Sequence, residues 1–315
     1  MMMGEKSLFS KLAHIAVVVK DIERAVEFYS SLGIGPFITP AKVLHDNSGY
    51  VKRTYRGSPA GYIGLIVREA QIGPVILQLV QHIEGDCVEK DFLDRKGEGV
   101  FHLGFVVDDI DKEEAKAVKL GLNVIQSGRR ADGSGNAFFD TESLGGVMLE
   151  IKQVPSEGDK MSEEMRVGEK SPFSELQHIT VVVEDMERAV KFYSSVGIEP
   201  FVPPDKHVFP KKTLWGKPIN FKLLIRETQI GSVVLQLVEH IEGEDVYKEF
   251  VDQRGEGVQH LGFKVDDIDK EEDKAVKMGL QVTQRGRRED GTGYTYFDTE
   301  SLGGVVFEIR QNPSD

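Results

Sequence analysis

The sequence predicts an α+β fold of paired βαβββ units, four in all, in two tandem modules whose strands form curved mixed sheets around a cavity. Three observations predict it. A long internal repeat divides the chain in two, a fainter repeat divides each copy again, and each quarter opens with a β-branched run followed by an amphipathic helix.

The long repeat is explicit. KLAHIAVVVKDIERAVEFYSSLGIGPF (11–37) returns as ELQHITVVVEDMERAVKFYSSVGIEPF (175–201), and GEGVFHLGFVVDDIDKEEAKAVKLGL (97–122) returns as GEGVQHLGFKVDDIDKEEDKAVKMGL (255–280). FFDTESLGGVMLEI (138–151) returns as YFDTESLGGVVFEI (296–309). The offset is 164 residues from His14 to His178 but 158 from His102 to His260, so the first copy carries six extra residues, expected between Ala41 and Ala60. Residues 154–172 are polar, acidic and aperiodic, and read as a linker between a module at 1–153 and a second at 173–315.

Within the first copy HIAVVV (14–19) reads as a strand. A helix follows, with Asp21 as N-cap, Ile22, Ala25, Val26 and Tyr29 on one stripe and Gly33 as its stop. YIGLIV (62–67) and VILQLV (75–80) are further strands. The second half replays this with HLGFVV (102–107), a helix from Asp111 to Leu120, then AFFD (137–140) and VMLEI (147–151). Tyr29 and Tyr193 read as core, and the polar helices EKDFLDRK and YKEFVDQR as cover for the outer sheet face. GEG (97–99, 255–257) reads as a turn.

Composition narrows the function. Apolar residues make up 40% and charged residues 29% of the 315, the balance of a water-soluble globular chain. A net charge of −13 argues against nucleic acid as partner, since a polyanion needs a basic face. No run approaches the ~18 apolar residues of a membrane span, and the start lacks a signal-peptide core. The lone cysteine, Cys87, allows no internal disulfide, and a cytoplasmic location is expected.

Four polar residues interrupt the apolar strands of each copy: His14, Gln78, His102 and Glu150, then His178, Gln236, His260 and Glu308. Alternation puts each on the strand face opposite Ile15, Val17, Leu77, Leu79, Leu103 and Phe105, so all four point to one concave side. Buried groups of this kind need partners. Two imidazoles, an amide oxygen and a carboxylate suit a divalent first-row ion (Co²⁺, Ni²⁺, Mn²⁺ or Zn²⁺), about two per chain, and leave coordination positions open. Affinity is then expected to fall below about pH 6, where an imidazole protonates. Either Arg pair of SGRRADGSG (127–135) and RGRREDGTG (285–293) could hold a carboxylate or phosphate near the cavity mouth.

On these residues the chain resembles the vicinal oxygen chelate superfamily, which includes glyoxalase I, extradiol dioxygenases, fosfomycin-resistance proteins and methylmalonyl-CoA epimerase. HIAVVVKDIERAVEFYSSLG, GEGVFHLGFVVDDI and LGGVMLEI are similar to the epimerase's opening, middle and closing motifs, and its ligand set of His, Gln, His, Glu matches His14, Gln78, His102 and Glu150. The resemblance implies a metal-dependent isomerase, epimerase or lyase acting through an enolate on a carboxylic acid or acyl-CoA thioester, with Glu150 and Glu308 as both ligand and base. It also implies a second glutamate on the strand before Gln78. No Glu lies between Phe37 and Arg68 or between Phe201 and Arg226; Asp46, Tyr50, Arg53 and Tyr55 occupy that region in one copy, His207, Lys211 and Trp215 in the other. The alternatives are an Fe(II) extradiol or 2-oxo-acid dioxygenase and a non-catalytic binding or resistance protein. Such relatives pair as dimers, so the tandem copy is expected to make the monomer an internal pseudo-dimer, with a homodimer also open.

Overall fold

A computed structural model describes residues 7–39, 49–154, 171–204 and 208–313. Asp46, His207 and residues 155–170 of the expected linker lie outside the described residues.

The first module runs β1 (Leu12–Val18), α1 (Ile22–Ser31), β2 (Tyr50–Tyr55), β3 (Ser58–Pro59), β4 (Gly64–Ile72), β5 (Val75–Glu84), α2 (Val88–Lys96), β6 (Gly99–Val106), α3 (Ile110–Lys119), β7 (Val124–Arg130), β8 (Gly135–Phe139), α4 (Glu142–Gly145) and β9 (Met148–Gln153). The second repeats it: β10 (Leu176–Val182), α5 (Met186–Ser195), β11 (Lys211–Leu214), β12 (Lys217–Pro218), β13 (Phe221–Ile230), β14 (Val233–Gly243), α6 (Val246–Arg254), β15 (Gly257–Lys264), α7 (Ile268–Lys277), β16 (Val282–Arg287), β17 (Gly293–Phe297), α8 (Glu300–Gly303) and β18 (Val306–Gln311). Each module forms one curled nine-stranded mixed sheet, ordered β3-β2-β7-β8-β9-β6-β1-β5-β4 in the first and likewise in the second.

The helices start where their caps dictate. Asp21, Asp109, Asp185 and Asp267 each accept a hydrogen bond from the backbone N–H three residues on, satisfying a donor that the first turn leaves open. The α3 helix therefore begins at Ile110, one residue before the expected start.

One hairpin of the first unit pairs with the second unit's strands instead of its own. β4 and β5 stay beside β1, but the β2–β3 hairpin of the same unit crosses to the far edge and pairs with β7. Five of the six extra residues fall at this crossing, and the sixth falls between the hairpin and Glu69. Ile38 and Val202 are equivalent, each bridging the Glu of the next long strand, and stand 164 apart; Thr54 and Thr213, each opposite the hairpin proline, stand 159 apart. Five of the six thus lie between Ile38 and β2, within the expected segment.

The two sheet faces are chemically distinct. Convex-face residues Ile15, Val17, Leu77, Leu79, Leu103, Phe105, Leu149 and Ile151 join Ile179, Leu235, Leu261 and Phe307 in one buried cluster that spans both modules. Buried Tyr29 donates its hydroxyl to the Gly303 carbonyl of the other module, and Tyr193 donates to Gly145. Both tyrosines are core, as expected, and they also clasp the two modules. The concave faces line separate interiors. Ala16, Val18, Val80, Phe101 and Met148 meet Val88 and Phe92 of α2 there. The helices α2 and α6 therefore cap the concave side and do not cover the outer face, because the apolar stripe of α2, Val88 and Phe92, turns inward.

Candidate metal centres

Strand register assembles each site in two rows. Gln78 on β5, Ala16 on β1 and His102 on β6 stand side by side; two residues along, His14, Gly104 and Glu150 form the next row. Ala16 and Gly104 are the small floor of the site, over which the ligand side chains lean. A β-bulge between Ala16 and Val17 turns both Phe101 and His102 to the concave side, and their rings meet at 4.3 Å. The second module repeats the rows with Gln236, Thr180, His260 and His178, Gly262, Glu308.

Three ligand atoms converge in each module. His14 Nε2 lies 2.8 Å from His102 Nε2, and Glu150 Oε2 stands 3.0 and 3.2 Å from the two nitrogens. In the second module His178 and His260 are 3.1 Å apart, and Glu308 Oε2 stands 2.7 and 3.0 Å from them. Two ligands about 2.1 Å from one ion and at right angles are about 3.0 Å apart. The spacing thus fits three adjacent corners of an octahedron around a divalent ion, with three corners left for the glutamine oxygen, water or substrate. All six residues are buried, and Glu150 Oε2 and Glu308 Oε2 accept no other hydrogen bond among the described residues. Buried carboxylate oxygens left this way fit a cation.

The outer contacts separate the modules. Gln78 donates its amide to Glu69 at 2.7 Å and Gln236 donates to Glu227 at 2.6 Å, so the oxygen of each amide is the atom that could serve as a ligand. Thr180 also donates to the Gln236 oxygen. His260 Nδ1 meets Gln259 Oε1 at 2.6 Å, whereas His102 Nδ1, beside Phe101, has no partner among the described residues. Glu150 accepts from Asn136, but Glu308 accepts from Arg310 Nε at 3.0 Å, a charged pair that the first module replaces with the neutral amide.

Burial disfavours imidazolium and lowers the His102 and His260 pKa values from 6.5 to about 4. Desolvation would raise the pKa of Glu150, but His102 and His14 outweigh it and hold the carboxyl well below its usual range. Metal binding should therefore persist below the pH 6 expected from unperturbed imidazoles and fail as the pH approaches 4. The unfolded chain takes up protons at these histidines from pH 6.5 downward and the folded chain only near 4. Stability is thus full above 6.5 and declines across that window. Melting temperatures of the metal-free protein between pH 7 and 4 check this; a flat profile would mean the imidazoles charge freely in the fold.

Two residues of the concave side are missed by sequence reasoning. The strand before Gln78 runs to Ile72, past the end of YIGLIV, so it does contain a glutamate: Glu69, directly opposite Gln78 and on its face. Glu227 stands opposite Gln236 in the same way. The expectation that this strand lacks a carboxylate is corrected, because each strand continues past Arg68 or Arg226 and includes the next residue, a glutamate. The second is Glu89 in the first turn of α2, 4% exposed, with Oε2 unpartnered among the described residues. Burial raises its pKa, and the nearby charge of Glu150 adds to that rise. Its counterpart is Tyr247, whose ring centroid is 6.0 Å from that of His260. Placement beside Val88 on the inward stripe is the sequence signal that could have found it.

The Arg pairs serve otherwise than expected. Arg129 is held by Asp111 and Glu114 of α3, and Arg287 by Asp269 and Glu272 of α7, so both tie a helix to the sheet. Arg130 lies over the Tyr50 ring and Arg288 over that of Phe209.

Among the described residues no helix is long and apolar enough to cross a membrane. No curated protein sequence matches the chain. Among solved structures, it is similar to a mutant of 4-hydroxymandelate synthase from Streptomyces coelicolor, with a TM-score of 0.58 at 19% identity over 97% of this chain and 94% of that one. It is also similar to a xylose isomerase-like TIM barrel/4-hydroxyphenylpyruvate dioxygenase fusion protein, with a TM-score of 0.52 at 15% identity over 99% of this chain and 50% of that one. At such identities these likenesses show the fold. The profile of the glyoxalase/bleomycin resistance protein/dioxygenase superfamily matches residues 13–139 and again 177–297. The chain, with its two curled sheets and two such segments, belongs to that superfamily.

Proposed function

We propose that the chain is a divalent-metal-dependent isomerase, epimerase or lyase that removes a proton beside the carbonyl of a carboxylic acid or acyl-CoA thioester. The observation that carries this reading is the second carboxylate on the ligand face, Glu69 beside Gln78, repeated as Glu227 beside Gln236. An ion held by His14, His102 and Glu150, with Gln78 as a fourth ligand, would act as a Lewis acid on the substrate carbonyl. The chain's own residues do the rest. Glu69 fixes the Gln78 amide and stands within the same row, placed to take a proton from one side of the substrate. Glu89, whose pKa burial raises, stands on the capping helix as the group to return one from the other. Phe101, Phe138 and Phe92 keep water from the site. This division moves proton transfer away from Glu150 and Glu308, which keep the ligand role.

The test is incubation of the Co²⁺- or Mn²⁺-loaded protein in D₂O with (R)- or (S)-methylmalonyl-CoA and with 2-substituted acids. Deuterium at the α-carbon with inversion is expected of an epimerase; deuterium with retention supports proton removal without epimerisation. If no such compound exchanges, the reading fails.

A second reading, an Fe(II) dioxygenase, is favoured by the three-cornered arrangement of two histidines and one glutamate. The likeness over nearly the whole chain to 4-hydroxymandelate synthase supports it too. Oxygen uptake by the Fe²⁺-loaded protein with 2-oxo acids or catechols distinguishes it. Tight binding of such compounds without turnover would point to a binding protein.

A further inference from the structure

Behind the second module's ligands lies a cavity of about 100 Å³, walled by Phe209, Tyr247, Tyr294 and Tyr296 and carrying two cations, Lys212 and Arg310. Arg310 is 7% exposed, and only its Nε is engaged, by Glu308; among the described residues no acceptor meets its two terminal nitrogens. Lys212 sits over the Phe221 ring at 4.0 Å, and its Nζ donates to the Phe221 carbonyl. The Tyr247 and Tyr296 hydroxyls are 2.7 Å apart, so one hydroxyl proton of the pair remains for a guest. Glu308 pairs with Arg310, and the charges of Glu227 and Asp245 also act on Arg310 and Lys212, so what the cavity offers an anion is the unengaged terminal nitrogens of Arg310 and the Lys212 ammonium, not a surplus of positive charge.

A buried guanidinium with two free donors, a second cation and tyrosine hydroxyls within aromatic walls form a receptor for a small planar anion. The first module keeps a cation at both positions, Arg53 for Lys212 and Lys152 for Arg310, but not the rest of the receptor: Tyr294 corresponds to Asn136, Tyr296 to Phe138 and Tyr247 to Glu89, a carboxyl that would repel an anion.

We propose that the second module holds a small carboxylate in this cavity, its oxygens between Arg310 and Lys212, and that the first module does not. The pocket adjoins His260 and Glu308 on the same concave face, so the proposal rests on reading that interior as a ligand site and adds the class of ligand it takes. Its ligand is a short monocarboxylic acid of a size the cavity admits.

The experiment titrates the chelator-treated, metal-free full chain with pyruvate, read by calorimetry and by saturation-transfer NMR. One saturable site per chain is expected. Arg310→Met should weaken it roughly tenfold or more, the loss of a charge-assisted pair, and Lys212→Met should weaken it less. Tyr247→Glu, which installs the first module's residue, should abolish it, while Lys152→Met should leave it unchanged. Because Arg310→Met leaves buried Glu308 with the histidines alone, circular dichroism and the milder Lys212→Met variant separate misfolding from lost recognition. Absence of saturable binding, or binding untouched by Lys212→Met and Tyr247→Glu in folded protein, overturns the proposal. Neither result bears on α-proton exchange by the metal-loaded chain.

Discussion

Gly104→Ala should cost the first module its divalent ion and leave the ion of the second in place. Gly104 stands opposite His14 across the β1–β6 ladder, and the imidazole lies flat over its backbone. A Cβ at Gly104 would fall 1.9 Å from His14 Cε1 and 2.3 Å from Nε2, the nitrogen that faces His102 and Glu150. A single methyl group must therefore turn the ring out of the site. Losing a histidine ligand removes most of the affinity, so a loss of roughly 100-fold or more is expected, on the order of 3 kcal/mol or above. The fold has less at stake, because the methyl enters the concave interior and not the shared core. The measurement is Co²⁺ stoichiometry by absorption, about two per chain in the parent and one in the variant, with Gly262→Ala as the mirror experiment and His102→Ala as the direct ligand deletion. Two ions retained in Gly104→Ala would mean that His14 is not a ligand. Loss of both would mean that the sites are not independent.

Cutting the chain within residues 155–170 should leave the two halves bound to each other with their metals. The convex faces of both sheets contribute to one buried cluster, and the modules exchange tyrosines across it. Tyr29 and Tyr193 are fully buried, and Gly303 and Gly145 lie tight against the rings they meet, since a Cβ at either would lie 2.7–2.8 Å from Phe192 or Phe28. Truncating one tyrosine to alanine opens a cavity costing about 3–5 kcal/mol and leaves a carbonyl without its donor. For a chain of this size each variant should lower the melting temperature by roughly 10 °C. Tyr29→Ala with Tyr193→Ala in the cut protein should let the halves separate. Sedimentation of the cut protein decides it: two stable free modules without any substitution would show that the shared core does not hold them.

The ligand set was legible because it is written twice. His14, His102 and Glu150 recur with equal register in the second copy, and strand alternation alone puts them on one face. Asp21 was readable as a cap, whereas only the structure shows that Asp109 caps the second helix, which starts at Ile110 and not at Asp111. What escaped was governed by contacts distant in sequence. The crossing of β2 to β7 depends on the curl of the whole sheet, and no local pattern encodes it. The α2 helix reads as polar because Glu89, Lys90, Asp91 and Asp94 dominate it, yet two apolar residues four apart, Val88 and Phe92, suffice to turn it inward and carry Glu89 with them. The Arg pairs looked like anion holders because their acidic partners, Asp111 and Glu114, sit three apart on a helix 15 or more residues upstream.

The two-row arrangement of the site has a symmetry consequence. Within a module β1 and β6 are equivalent strands of the two βαβββ units, as are β5 and β9, so His14 pairs with His102 and Gln78 with Glu150 about a local twofold axis. An ion held by His14, His102 and Glu150 would draw on both units, since each half-module supplies only part of the ligand set. No isolated βαβββ unit can hold the ion, and any motion that parts β1 from β6 dismantles the site at its centre. Ion binding and the docking of half upon half would thus be one equilibrium, each ion drawing together two units of a chain in which this pairing is repeated at two levels.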